Sequence, residues 1–158
     1  RKDPKKIAWF QCIGSRDMNR CDNPYCSSVC CMYAIKQAII AKEHAEKELD
    51  CSIFLMDMRT HGKGFEECYN DARARHGIRF QQSRVHSILP LPEGGLRLVY
   101  ADAEGSLHEE SFDLAVLSVG MEIPEDVVDL ARPLPEGLRQ ILFVGDLRTP
   151  DTDRNLTI

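Results

Sequence analysis

Three short apolar runs separated by two helical stretches, all within about 80 residues, constrain the fold of this chain more than any other feature of its sequence. Residues 7–13 (IAWFQCI) are mostly apolar and end at Gly14 and Ser15; residues 52–58 (SIFLMDM) form a second run, and residues 78–80 (IRF) open a third. Runs this short, with turn residues after them, read as buried strands. From about 27 to 49 the pattern is helical: Val29, Met32, Ile35 and Ile39 recur at three- or four-residue spacing, with Ser27 placed as N-cap. Residues 65–76 give a second helix, stopped by Gly77. A strand, helix, strand, helix, strand order predicts right-handed crossovers and a parallel sheet.

Beyond this point the pattern changes. Residues 84–91, 96–102 and 106–112 are strand-like and are separated by Pro-Glu-Gly-Gly and Ala-Glu-Gly, which predicts an antiparallel β-meander. Residues 113–119 (DLAVLSV), followed by Gly120, return as a buried strand, and 141–144 (ILFV) form a last one before Gly145-Asp146. Residues 124–134 connect them with one helical turn or two. The expected fold is α/β: a Rossmann-like three-layer nucleotide-binding scaffold with a central parallel sheet and an added antiparallel β-meander. Residues 1–145 are expected to form one domain, consistent with 158 residues at 43% hydrophobic content, and 146–158 to be a truncated tail.

A formal charge of -5, from 20 Lys and Arg against 25 Asp and Glu, with no basic run, argues against a nucleic-acid partner. No apolar run approaches the roughly 18 residues of a membrane span, and no secretory leader is recognisable, so a soluble, cytoplasmic chain without membrane insertion is expected. Of seven cysteines, five fall between Cys12 and Cys31 and two are adjacent, a distribution that suits metal ligation better than a disulfide framework.

Cys12 ends the first expected strand, whereas Cys26, Cys30 and Cys31 stand at or just before the start of the first helix, in the pattern C-x13-C-x3-CC. Cys26 and Cys30 are four apart and Cys31 is about 100° further round a helix, so these side chains converge only near the helix end. Free backbone N–H groups and the positive end of the helix dipole stabilise thiolates there. Four thiolates suit a [4Fe–4S] cluster or zinc, and spacing does not choose between them; a redox disulfide and inert buried thiols are the other readings. Cys51 and Cys68 are isolated and are read as packing residues.

The strings WFQCIGSRD, YCSSVCCMYAIKQA, MDMRTHGKGFEE and LSVGME, in this order and at these distances, resemble the A-subunit family of heterodisulfide reductase. That family includes homologous subunits of quinone-interacting membrane-bound oxidoreductase complexes. The resemblance covers residues 5–122 well and the closing LFVGD weakly, and CSSVCCMYA is its most specific part. It implies an internal fragment of a thioredoxin-reductase-like flavoprotein core, with FAD and further clusters on other parts of the polypeptide and electrons passed to partner subunits of a heterodisulfide-reductase-like or quinone-linked complex. By motif, Cys12, Cys26, Cys30 and Cys31 match the ligands of the family's non-ferredoxin [4Fe–4S] cluster, and Cys21 lies outside the match as a fifth thiol. Neither GxGxxG nor a ferredoxin cysteine array occurs here.

Three further places are weighed for nucleotide contacts. Asp57 and Arg59 end the second expected strand, where an acidic residue would hold a ribose or an arginine a 2′-phosphate of NAD(P); strand-end polar groups are the plainer reading. Gly62, Lys63 and Gly64 precede a helix, as an anion site would, but three residues are a weak signal and a helix-start turn with a solvated lysine is the plainer reading. Asp146, in Gly145-Asp146, resembles the flavoprotein turn whose aspartate meets FAD. The alternative to electron transfer is a nucleotide-binding or zinc-binding structural module without redox activity of its own.

Overall fold

In the computed structural model, which describes residues 3–121 and 124–134, the apolar runs take up the expected alternation of strands and helices. In chain order the elements are β1 (Lys6–Ile13), α1 (Met18–Cys21), α2 (Cys30–His44), β2 (Asp50–Leu55), α3 (Phe65–Ala74), β3 (Arg79–Gln82), β4 (Val85–Pro90), β5 (Leu96–Ala101), β6 (Leu107–Phe112), β7 (Leu114–Val119) and α4 (Glu125–Ala131). The chain divides into two compact units, Arg1–Ile13 with Ser28–Ser118, and Gly14–Ser27 with Val119–Ile158.

In the first unit a four-stranded sheet runs in the order β3-β2-β1-β7, and a three-stranded sheet in the order β4-β5-β6. β1 and β2 are parallel, with Trp9 opposite Ile53 and Phe10 opposite Phe54, and β2 and β3 are parallel as well. The meander is antiparallel throughout. Side chains alternate across a strand, so β1 feeds two cores. Ile7 and Trp9 join Ile53, Leu55 and the α2 residues Met32, Ala34, Ile35 and Ala38, while Ala8 and Phe10 join Phe54, Leu98, Tyr100 and Phe112. The parallel sheet is therefore covered by helices on one face and by the meander on the other, which is why Ile7, Ala8, Trp9 and Phe10 of β1 are apolar at successive positions. Phe54 anchors the meander side, stacked on Phe10 at 5.5 Å and edge-on to Tyr100 at 4.9 Å.

A charged cluster closes the margin of this second core. Glu110 of β6 accepts from Lys6 Nζ at 2.5 Å, from Arg79 Nη2 at 2.6 Å and from the Tyr100 hydroxyl at 3.1 Å. It joins β1, β3, β5 and β6 by charge-assisted bonds at a half-buried position.

The second unit contains a loop closed on itself. Arg16 N–H donates to the Tyr25 carbonyl at 3.1 Å, Asp17 N–H to that of Asn23 at 2.8 Å, and the Asn23 amide side chain to the Gly14 carbonyl at 2.8 Å. The stretch read as plain loop contains α1, one turn started by Asp17, whose carboxylate accepts from the Arg20 N–H at 3.2 Å. α4 fills the segment expected to hold one or two helical turns.

Some boundaries differ from expectation. α2 begins at Cys30 and not at Ser27, and its N-cap is Val29, with no side-chain capping bond. The cause is Ser28, whose left-handed backbone (φ 60°) turns the chain just before the helix and leaves Ser27 outside it. β2 begins at Asp50, paired with Lys6, and ends at Leu55, because the next residues leave the sheet. Residues 135–158, with the expected strand 141–144, Asp146 and the tail 146–158, lie outside the described residues. Among those described, no helix is long and apolar enough to cross a membrane.

Candidate functional site

Cys12 is the last residue but one of β1 and has a left-handed backbone, φ 59°, which is costly for a residue with a Cβ. By strict alternation it would follow Ala8 and Phe10 toward the meander. The left-handed turn breaks that alternation, and Cys12 is instead within electrostatic reach of Cys31 on α2. Cys30 and Cys31 are the first two residues of α2, and all three side chains are buried.

The Cys31 thiol is held far above the ordinary thiol range. Its hydrogen bond with Cys30 is the largest cause, followed by burial; the charges of Cys30 and Cys12 act in the same direction. One group opposes them. The backbone N–H of Arg59 donates to the Cys31 sulfur and favours the thiolate. Arg59 follows β2, so the site is built at the carboxyl ends of β1 and β2 and the first turn of α2. Open α/β sheets bind ligands outside the carboxyl ends of their strands.

The structure thus brings together Cys12, Cys30 and Cys31. Cys26 is buried and belongs to the second unit; Cys21, also there, is exposed on α1. Among the described residues, no three His, Cys, Asp or Glu side chains are arranged as a set ready to hold a metal ion. Cys51 and Cys68 pack with the helix-side core, and burial pushes the Cys51 thiol up to about 11.

Asp57 and Arg59 are paired with each other: Nε and Nη2 of Arg59 both lie 3.3 Å from the same Asp57 oxygen. Gly64 serves as the N-cap of α3 with φ 76°, the Gly62 Cα faces the Phe65 ring so closely that a Cβ would stand 2.4 Å from it, and Glu66 and Glu67 occupy the first turn. Those two carboxylates already complement the helix dipole there. The role of the Arg59 amide had no signal in the sequence, because a backbone N–H leaves none. Two serines were missed as well: Ser15, 1% exposed, and Ser27 have buried hydroxyl oxygens without a hydrogen-bond partner among the described residues.

No family model matches the chain. It is 42% identical over 153 residues to the second CoB–CoM heterodisulfide reductase iron–sulfur A-subunit of Methanopyrus kandleri, covering 95% of this chain and 21% of that protein. It is 40% identical over 143 residues to the A-subunit of the H(2)/formate:CoB-CoM heterodisulfide,ferredoxin reductase of Methanococcus maripaludis, covering 86% and 21%. A protein of Archaeoglobus profundus that is like the heterodisulfide reductase A-subunit is 40% identical over 134 residues, covering 84% and 18%. The chain spans about a fifth of the length of these curated relatives. Among solved structures, thioredoxin reductase of Lactococcus lactis superposes with a TM-score of 0.50 over 81% of this chain and 35% of that one. At 16% identity it shares the fold alone. Sequence identity over most of these residues, with the doubled cysteine at the head of α2, shows that the chain belongs to the A-subunit family of heterodisulfide reductase.

Proposed function

We propose that this part of the polypeptide holds a [4Fe–4S] cluster on Cys12, Cys26, Cys30 and Cys31 and serves as an electron relay of a heterodisulfide-reductase-like oxidoreductase. On this reading residues 1–145 are the cluster-bearing insert of a flavoprotein core, and residues 146–158 lead back toward its FAD domain. FAD binds elsewhere on the full-length polypeptide, with Asp146 as a contact. Partner subunits of a heterodisulfide-linked or quinone-linked complex, working in the cytoplasm, exchange electrons with it. The relatives' names supply the class of reaction, that of the iron–sulfur component of a CoB–CoM heterodisulfide reductase.

The observation that carries the reading is the burial of three thiols within mutual electrostatic reach at the uncapped start of α2. Buried thiols this close oppose one another's ionisation, so the arrangement is costly without an electropositive centre and favourable with one. The donor set is chemically right: thiolates are the usual ligands of iron–sulfur clusters, and the N-terminal N–H groups of α2 favour anionic sulfur. When bound, such a cluster accepts and releases single electrons. The protein's part is to hold the sulfurs, direct the Arg59 N–H at one of them, and exclude water by burying Cys12, Cys30 and Cys31.

Anaerobic reconstitution of the full-length polypeptide with iron and sulfide is the test. The reading expects broad absorption near about 400 nm and about four irons more per chain than in Cys30→Ser or Cys31→Ser, as for a thiolate-ligated cluster. Equal iron in the wild type and both variants would overturn it. So would stoichiometric zinc bound by these cysteines without a chromophore.

A further inference from the structure

Among the described residues the two sheets leave four outer strands, β3 and β7 on the four-stranded sheet and β4 and β6 on the meander. An outer strand presents unpaired N–H and C=O groups, and folded proteins blunt such edges with charge, proline, bulges or brevity. Three of the four are blunted in this way. β3 has only four residues and carries Arg79, Gln81 and Gln82; β4 is bulged between Val85 and Ser87 and ends at Pro90; β6 carries Glu109 and Glu110. β7 is the exception. Its six residues, LAVLSV, include no charge and no proline.

The faces of this strand are left incomplete as well. Val116 packs with the helix-side core and Ala115 with the meander-side core. By alternation Leu114 shares the face of Val116, and Leu117 that of Ala115. These leucines are nevertheless 45% and 53% exposed, so one leucine overhangs each core at the same edge. A strand laid beside β7 in the plane of the sheet takes up its free backbone groups and extends the apolar cover on both faces. A helix or loop packed on one face covers one leucine only.

We propose that β7 is the docking edge for an apolar strand supplied in cis, by the part of the full-length polypeptide outside residues 1–158. Two considerations select that occupant. This chain spans about a fifth of its curated relatives' length, which leaves ample polypeptide to supply a strand. A six-residue edge is about 20 Å long, and pairing along it covers much less than the roughly 800 Å² per partner of a stable complex between separate molecules. A tethered strand meets no such requirement, because the tether sets its effective concentration. Pairing in cis also explains why β7 alone among the outer strands lacks a device against it. None of this requires an iron–sulfur cluster.

The test is amide hydrogen exchange in the full-length polypeptide, resolved to single residues and compared at two protein concentrations. About every second amide of β7 points away from β1. Those amides should exchange at least about tenfold more slowly than the outward amides of β6, equally at both concentrations and without partner subunits. Leu117→Lys, which solvent would tolerate at an open edge, should restore fast exchange to them while the Trp9 amide keeps its protection. A photoreactive benzophenone side chain placed at position 117 should cross-link to a peptide outside residues 1–158. Fast exchange along the β7 edge of the wild type would overturn the proposal, as would wild-type exchange in Leu117→Lys. Slow exchange that appears only at the higher concentration would mean a second copy, and slow exchange only with partner subunits present would mean one of them; either outcome overturns docking in cis. A cross-link confined to residues 1–158 does so too.

Discussion

The backbone N–H of Arg59 is directed at the sulfur of Cys31, while the Arg59 guanidinium turns back to Asp57. The residue thus acts at the thiol through its amide and keeps its charge for a neighbour. Only proline removes the amide, so Arg59→Pro and Arg59→Ala separate the two roles. Both variants lose the pair with Asp57; Arg59→Pro alone also loses the bond to sulfur. Reconstituted Arg59→Pro is expected to retain several-fold less iron after anaerobic desalting than Arg59→Ala, which should stay close to the wild type. Equal retention in the two would show that the amide contributes nothing.

Glu110 accepts from Lys6, Arg79 and Tyr100 on three other strands. Burial alone would raise its carboxyl, but the hydrogen bonds from Arg79 and Lys6 prevail and hold it below the usual range. A folded-state value below the unfolded one contributes stability above the ordinary carboxyl range, and this is lost as pH falls through the folded value. Glu110→Gln should therefore destabilise the protein by about 1–3 kcal/mol in urea at pH 7 and flatten the loss of stability below about pH 4.5. An acid limb as steep as in the wild type would refute the assignment.

Cys51 is fully buried on β2, against α2, and its thiol is pushed by burial from 9.0 to about 11. Because the folded value is the higher, its contribution is complete below pH 9, where the thiol is neutral in both states. It is lost as pH rises toward 11 and the unfolded thiol ionises first. In cluster-free protein the unfolding free energy should fall by up to about 2 kcal/mol over this window on account of Cys51. Cys51→Ala should reduce the decline without abolishing it, since Cys31 is shifted in the same direction. Denaturant midpoints at pH 8 and pH 10.5 give the comparison.

Much of this arrangement is legible in the residues themselves. β1 is apolar at successive positions because Ile7 and Trp9 face helices while Ala8 and Phe10 face the meander, and a strand covered on both sides has no use for alternation. The spacing of Cys12, Cys30 and Cys31 likewise marks a strand end and a helix start. What was not legible has a common origin in backbone turns chosen by tertiary contacts. The left-handed conformations of Cys12 and Ser28 belong to residue types that rarely adopt them, so no local propensity announces them. Ser27 has the chemistry of an N-cap, yet the turn at Ser28 hands that position to Val29. The Arg59 amide is invisible for a different reason, since every residue but proline has one.

Gly120 is required for space and not for its backbone angle. Its Cα lies against Ser15 and Ser27, and a Cβ would meet Ser15 Oγ and Ser27 Cβ, both at 2.6 Å. Real Cβ atoms do not approach other heavy atoms so closely, and Ser15 is buried at the loop neck, where the backbone bonds of Arg16 and Asp17 leave little room to yield. Gly120→Ala should therefore cost about 1–3 kcal/mol by overpacking. Hydrogen exchange gives the finer measurement: the amides of Arg16 and Asp17 are expected to lose protection in Gly120→Ala, while that of Trp9, deep in the parallel sheet, keeps it. Unchanged exchange at Arg16 and Asp17, with wild-type stability, would mean that the neck accommodates a methyl group and that the closeness of Gly120 to the two serines has no mechanical consequence.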